Sequence, residues 1–138
     1  MTRIDELADR YVRLWNEPDP RMRHRAVRDL WAPGGRQVLQ PPQELRDAAA
    51  GLGFPAATLE VRGHQELDVR VGRAHADFVA PGAYAFRRRG EPVHLQDVVV
   101  LTWEMVPVAG GAAAAIGRDV LLLDDDGRIR VDYQYVEA

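Results

Sequence analysis

Asp119 stands in the run Gly117-Arg118-Asp119-Val120-Leu121-Leu122-Leu123, a lone carboxylate among side chains that belong in a core. A carboxyl group facing an apolar cavity loses its hydration, and its pKa rises toward the range useful for proton transfer. Asp119 is therefore the leading candidate for general acid/base work. A second environment stays open to it: paired with Arg118 or Arg130 at a strand edge, it would be structural. Asp97 is the next carboxylate of interest, because it shares strand parity with Val99, Leu101, Trp103 and Met105. If that face lines a cavity, Asp97 lies near the rim; otherwise it is the polar start of a strand.

What the chain lacks narrows the chemistry further. It has no Cys, no Ser and no Lys, so all 18 basic residues are Arg. Disulfides, thiolate or serine nucleophiles, Schiff bases and a P-loop lysine are excluded together. Asp, Glu, His, Tyr, Arg, three Thr and bound water remain. Of the His residues, His24 lies among Arg side chains and His64 at a helix start, while His75 and His94 could reach a cavity. None has the spacing of a metal site, and Asp124-Asp125-Asp126 lacks the ligand spacing and terminal Glu of a calcium loop. No metal or cofactor is expected.

Strands must position Asp119. Leu95 to Val108 carries Val98, Val99, Val100, Leu101, Trp103, Met105 and Val106 and is bounded by Gly110-Gly111, which predicts a buried strand. Ala112 to Leu123 predicts the next. Asp126-Gly127 suits a two-residue type I′ turn, and Arg128 to Val136, with Ile129, Val131, Tyr133 and Tyr135 alternating, predicts a last strand. Turn length decides what faces Asp119: two residues place Gln134 opposite, three place Tyr133 there. In the middle strand Leu121 and Leu123 share the parity of Asp119, while Val120 and Leu122 take the other face. Both faces are thus apolar, one to meet helices and the other a second subunit.

Upstream, Ile4, Leu7, Ala8, Tyr11, Leu14 and Trp15 recur at three and four and predict a helix from Thr2 to Asn16, with Thr2 and Asp5 resembling a capping box. Asp19 as N-cap and Pro20 as first helical residue open a second helix. It is expected to run to about Trp31, to bury Met22, Ala26, Val27, Leu30 and Trp31, and to end at Pro33-Gly34-Gly35. A short strand Arg36 to Gln40, a helix Gln43 to Leu52 and a strand Thr58 to Arg62 follow. Leu67, Val71, Ala74 and Phe78 share one face of a helix from His64 to about Val79, and Ala83 to Arg88 is a strand. No repeat or linker divides the chain, so a single domain over 1–138 is expected.

With 138 residues, 46% hydrophobic, and a net charge of −3, the chain can build one core and invites no polyanion. Arg87-Arg88-Arg89 and the Arg21 to Arg25 cluster read as solvated faces, so no nucleic-acid partner is expected. No basic-then-apolar leader or membrane-length apolar run is present, so the expectation is a soluble cytoplasmic protein without a membrane partner.

The order helix, helix, strand, helix and then antiparallel strands resembles the SnoaL-like branch of the nuclear transport factor 2-like superfamily, as do Trp15-Asn16 ending the first helix and Gly117, Asp119, Leu121, Leu123, Gly127, Arg128 and Ile129 near the end. Tyr11 to Asn16 and Gly63-His64-Gln65-Glu66-Leu67 add support. The resemblance covers nearly the whole chain. It implies an α+β fold: a strongly curved, mainly antiparallel sheet wrapped around an N-terminal helix layer, a cystatin-like cone with a mostly apolar cavity, commonly dimeric through the sheet. In polyketide cyclases of the family an aspartate of the late strand acts as acid/base, and the motif puts it at Asp119. Ketosteroid isomerase, a relative by fold, pairs an Asp base with Tyr and Asp donors; Tyr11 takes a matching place on the first helix.

The expected function is thus small-molecule chemistry of the cyclase, isomerase or hydrolase type, free of cofactors. Asp119 would move the proton, and Tyr11, Asp97 or Gln134 would donate to developing oxyanion charge. Trp15, Trp103, Leu101, Leu121, Tyr133, Gln134 and His75 are the candidate contacts to a small apolar organic ligand, and a homodimer through the sheet is the expected assembly. A ligand-binding or structural protein of the same fold, without chemistry, is the alternative.

Overall fold

In the computed structural model, which describes residues 3–137, the amphipathic pattern of the first helix is cashed out directly. Helix α1 (Arg3–Asn16) buries Leu7, Ala8, Tyr11, Val12, Leu14 and Trp15 along one face. Helix α2 (Pro20–Leu30) starts where Asp19 accepts a hydrogen bond from the Arg21 amide, with Pro20 in the first turn. The other helices are α3 (Gln43–Gly51) and α4 (Gly63–Ala74), the latter continued by a π-helical turn His75–Val79. No helix among the described residues is long and apolar enough to cross a membrane.

The strands are β1 (Trp31–Leu39), β2 (Leu59–Arg62), β3 (Tyr84–Arg88), β4 (Val93–Leu95), β5 (Val98–Pro107), β6 (Ala115–Leu123) and β7 (Ile129–Glu137). They form one open sheet in the order β2-β1-β7-β6-β5-β3, and β4 shares an edge of β5 with β3. β1 runs parallel to β7, and the other pairings are antiparallel. This is the expected α+β cone. Val99, Leu101, Trp103, Leu121 and Ile129 on the inner face of the sheet pack with Tyr11, Trp15, Val27, Leu30, Leu67 and Val71 from the helices into one core.

Four local expectations need correction. Helix α2 ends at Leu30, and Trp31 is already the first residue of β1, where its indole is fully buried. Pro33-Gly34-Gly35 does not stop the helix. It forms an irregularity inside β1, where pairing jumps from Trp31–Ile129 to Arg36–Val131. A Cβ at Gly35 would stand 2.8 Å from the Ile129 carbonyl and 2.9 Å from that of Ala32, so only glycine fits there. Met22 is 46% exposed, because α2 turns only Val27 and Leu30 fully inward. The predicted strand from Leu95 breaks at Gln96, whose φ of 52° makes a tight turn between β4 and β5. The capping box assigned to Thr2 lies outside the described residues.

Hairpin β6–β7 settles what faces Asp119 by an unexpected route. Its turn has three residues, with the Asp124 amide donating to the Arg128 carbonyl, the Gly127 amide to the Asp124 carbonyl, and Gly127 at φ 80°. That is a type I turn followed by a left-handed glycine, and alone it would set Tyr133 against Asp119. A bulge at Arg130 adds one residue to β7, since Leu123 pairs with Ile129 but Leu122 with Val131. The two irregularities cancel, and Asp119 pairs with Gln134.

Candidate active site

Seven side chains from six strands and helices meet at and behind the cavity wall. Strand β6 carries Asp119 to the inner face, where it is 0% exposed. The residue opposite Trp103 is Gly117, and a Cβ there would collide with the indole. Because that Cβ is missing, Trp103 lies flat across β6 and its Nε1 donates to Asp119 Oδ1 at 2.6 Å. Phe86 holds the indole edge-on, with ring centroids 5.4 Å apart. Gln134 Nε2 donates to both Asp119 oxygens at 3.3 and 3.2 Å, as the register requires.

Tyr11, presented by α1, closes the set. Its Oη lies 2.7 Å from Asp119 Oδ2 and 2.6 Å from Asp132 Oδ2, both acids being fully buried. A phenol has one proton, so it can donate to only one of the two. The other contact needs a carboxylic acid donating to the phenol oxygen. Asp132 is that acid: burial first, and the charge of Asp119 second, raise its pKa well above the usual carboxylate range. Burial and the same two acids also push the Tyr11 phenol well above its ordinary value, so it stays protonated. The resulting chain runs from the Asp132 acid through the Tyr11 hydroxyl to the Asp119 carboxylate.

Gln37 of β1 steadies this chain by donating to Asp132 Oδ2 at 3.1 Å and to Tyr11 Oη at 3.3 Å. Arg70 of α4 donates in turn to Gln37 Oε1 and to Gln134 Oε1, each at 3.3 Å, and lies 5.6 Å over the Trp15 ring. Burial lowers the Arg70 pKa, and Tyr11, Asp132 and Asp119 oppose that shift.

In front of this cluster lies a cavity of about 540 Å³. Trp15, Leu39, Phe78, Phe86 and Met105 supply much of its apolar wall, and Tyr11, Trp103, Gln134 and Arg70 its polar end. The first turn of α3, none of whose residues is buried, and the preceding Pro41-Pro42 line another side of it. Asp119 itself is not on the wall. It stands directly behind Tyr11, Trp103 and Gln134, which use its oxygens.

The candidates chosen from sequence divide accordingly. Asp119, Tyr11, Trp103 and Gln134 are brought into hydrogen-bond contact, and Trp15 lines the cavity. Asp97 is corrected: it sits in the β4–β5 turn with its side chain 58% exposed, 4.0 Å from Arg130, far from any rim role. Leu101 and Leu121 are core residues off the cavity wall. Tyr133 is turned to the opposite face of the sheet beside Val120 by the Arg130 bulge. His75 is buried with Nε2 unpartnered but does not line the cavity either. Among the described residues no group of three or more His, Asp or Glu is placed to hold a metal ion.

Asp132, Gln37 and Arg70 were missed. Asp132 and Gln134 share a parity that reads as the solvent side of β7, because Val131, Tyr133 and Tyr135 alternate with them. Arg70 carried a readable signal, since it falls three residues after Leu67 and four before Ala74, on the buried face of α4. Gln37 carried none.

An open curved sheet folded over helices, with an apolar cavity in front of a buried acid cluster, is the fold of the nuclear transport factor 2-like superfamily, and the comparisons agree. The chain matches a SnoaL-like family protein from Agrobacterium tumefaciens, described provisionally as an isomerase, over 100% of both chains at 25% identity and a TM-score of 0.78. It matches a nuclear transport factor 2-like protein of unknown function from Mesorhizobium loti at 18% identity and TM-score 0.60, over 100% of this chain and 97% of that one. A cystatin-like fold protein of unknown function from Xanthomonas campestris matches at 17% and 0.64, over 99% and 92%. No family model matches the chain, and no curated protein matches its sequence. The chain has a nuclear transport factor 2-like fold and is similar along its whole length to that SnoaL-like protein.

Proposed function

We propose that the chain is a small-molecule enzyme of the cyclase, isomerase or hydrolase kind, moving a proton on a largely apolar substrate held in the cavity. One observation carries this reading: two buried carboxyl groups and one phenol are joined at 2.6 and 2.7 Å at the cavity wall, and the phenol's single proton can reach only one of them. A core seeking only stability gains little from such a pair, because each buried acid costs several kcal/mol to desolvate, about the same order as its best contacts return. Positioned acids that share protons beside an apolar pocket are instead the usual apparatus of acid/base catalysis.

In this scheme Tyr11 is the group that meets substrate. As the substrate's proton arrives, the 3.3 Å contact from Gln37 Nε2 to the phenol oxygen gives way, the phenol's own proton passes to Asp119, and the return step runs in reverse. Gln134 and Trp103 hold Asp119 in place and stay neutral throughout. Asp132 keeps its proton and donates to Tyr11, which prevents the phenol from accumulating charge. The side chains supply all of this themselves, with no cofactor assigned a part.

The natural substrate need not be known for a test. Small cyclic and acyclic ketones incubated in heavy water acquire deuterium beside the carbonyl when a base removes that proton, and mass spectrometry reads the exchange. The wild-type chain is expected to exceed buffer, and Tyr11→Phe and Asp119→Asn each to lose about 10²- to 10⁴-fold, the usual worth of a positioned proton-transfer group. Exchange unchanged in both folded variants would refute the scheme.

A ligand-holding protein without chemistry is the second reading, favoured by the position of Asp119 behind the wall with both oxygens engaged. Ligands that bind across the ketone panel without any exchange would select it. The reading also includes a homodimer, for which Val98, Val100, Val120 and Leu122 offer a half-buried apolar stripe on the outer face of the sheet. Sedimentation as a monomer at micromolar concentration would remove the dimer.

A further inference from the structure

We infer that the cavity takes an amphipathic carboxylate: an apolar body with one acid group held by Arg46 and Arg70. The inference deepens the proposed function and rests on its reading of the cavity as a substrate site.

Charge is the starting point. The wall is mostly apolar, and its ionisable members besides Tyr11 are the two arginines; no Asp, Glu or His lines it. Elsewhere the arginines with acids nearby use them, as Arg36 does with Glu60, Arg88 with Asp9 and Arg87 with Glu104. Among the described residues neither Arg46 nor Arg70 has a carboxylate within ion-pair distance. Arg70 meets only the amide oxygens of Gln37 and Gln134, at 3.3 Å, although its guanidinium is largely withdrawn from water. Arg46 Nε is buried with no partner at all.

The cluster behind the wall does not balance these charges. With one proton shared between Asp119 and Asp132, it holds one negative charge against two guanidinium groups. A surplus cation beside an apolar cavity is costly, and a ligand carboxylate both neutralises it and offers the paired acceptor oxygens that a guanidinium fork fits best. Arg46 comes from α3, none of whose residues is buried, so it lines the cavity from its solvent-facing side. Arg70 is held deeper by its stacking on Trp15. The apolar body fills the space toward Phe86 and Met105, and about 540 Å³ is ample for a small organic acid.

Calorimetric titration of the full chain with octanoate, decanoate and 4-phenylbutyrate, each beside its own primary amide, tests this. The acids are expected to bind about tenfold tighter than their amides or better, as charge-assisted pairing in a dry site requires. Arg46→Gln and Arg70→Gln should each bring the acids down toward their amides while amide affinity stays within about twofold, and Arg70→Lys should recover part of the loss. Should Arg70→Gln fail to fold, Arg46→Gln decides alone, since no residue of α3 is buried as a whole and the Arg46 Nε it removes makes no hydrogen bond. Equal affinity for acids and amides, acid binding untouched in the arginine variants, or no acid bound at all would overturn the inference. The deuterium exchange test fails or succeeds separately: a neutral ketone turned over by a chain with no acid preference would leave the acid/base reading standing and remove only this one.

Discussion

Asp119 and Asp132 look interchangeable, two buried aspartates on one phenol, yet replacing each by Asn should have opposite effects. Asp132 Oδ2 takes Gln37 Nε2 and contacts Tyr11 Oη, while Oδ1 has no partner. A protonated Asp and an Asn are nearly isosteric, so in Asp132→Asn the amide N–H replaces the acid O–H toward Tyr11, and only the 3.1 Å contact from Gln37 Nε2, which meets the same atom, is given up. Asp119 differs because all its contacts come from donors: Trp103 Nε1, the Tyr11 hydroxyl and Gln134 Nε2. An amide nitrogen at either oxygen position faces a donor. Losing one charge-assisted bond and stranding one buried donor costs about 2 to 4 kcal/mol.

The pH dependence separates the two cases further. Asp132 has its pKa raised in the folded state, so the native chain holds a proton that the unfolded chain releases near pH 4. Its contribution to stability is fully present below the unfolded pKa and is lost as pH rises through the folded one. Wild type should therefore lose stability to Asp132→Asn above about pH 4 by up to about 1.4 kcal/mol per pH unit, levelling off at the folded pKa. Urea unfolding at half-unit steps from pH 4 to 9, followed by tryptophan fluorescence, measures the difference. Parallel wild-type and Asp132→Asn curves, or an Asp132→Asn variant less stable than Asp119→Asn at pH 8, would refute the proton assignment.

Gly117→Ala drives a methyl into the Trp103 indole, so it should destabilise by about 1 to 3 kcal/mol and alter Trp103 emission, read by denaturation and fluorescence. Asn16 binds both backbone groups of Phe86, its Oδ1 accepting from the amide at 2.8 Å and its Nδ2 donating to the carbonyl at 2.7 Å. Asn16→Asp sets a carboxylate against that carbonyl and should cost about 1 to 3 kcal/mol, which thermal unfolding measures. Arg88→Met removes the bridge from β3 to Asp9 and Asp5 of α1; with the guanidinium 21% exposed, the loss should stay near 1 kcal/mol in urea and shrink in high salt.

The chain's own pattern determined its elements. The 3.6-residue spacing of Leu7, Tyr11, Leu14 and Trp15, the Asp19-Pro20 start and the apolar runs of β5 and β6 are local signals, and each element formed within a few residues of where they point. Those same runs made Asp119 conspicuous, because a charge in an apolar strand contradicts its neighbours. Irregularities were not legible. A bulge depends on how two strands register against one another, and nothing near Arg130 announces one.

That single extra residue decided the site. Without it Tyr133 would face Asp119 and Asp132 would point outward with the alternation that β7 shows; with it, Asp132 and Gln134 turn inward and the lone acid acquires a partner. Asp97 failed for the mirror reason, since a turn at Gln96 removed it from the strand whose parity it shared. Local sequence can specify which residues are helical or extended because those preferences are summed along the chain. Which side chains share a proton depends on contacts between residues 108 and 121 positions apart, and only the closed tertiary structure brings Tyr11 to Asp119 and Asp132.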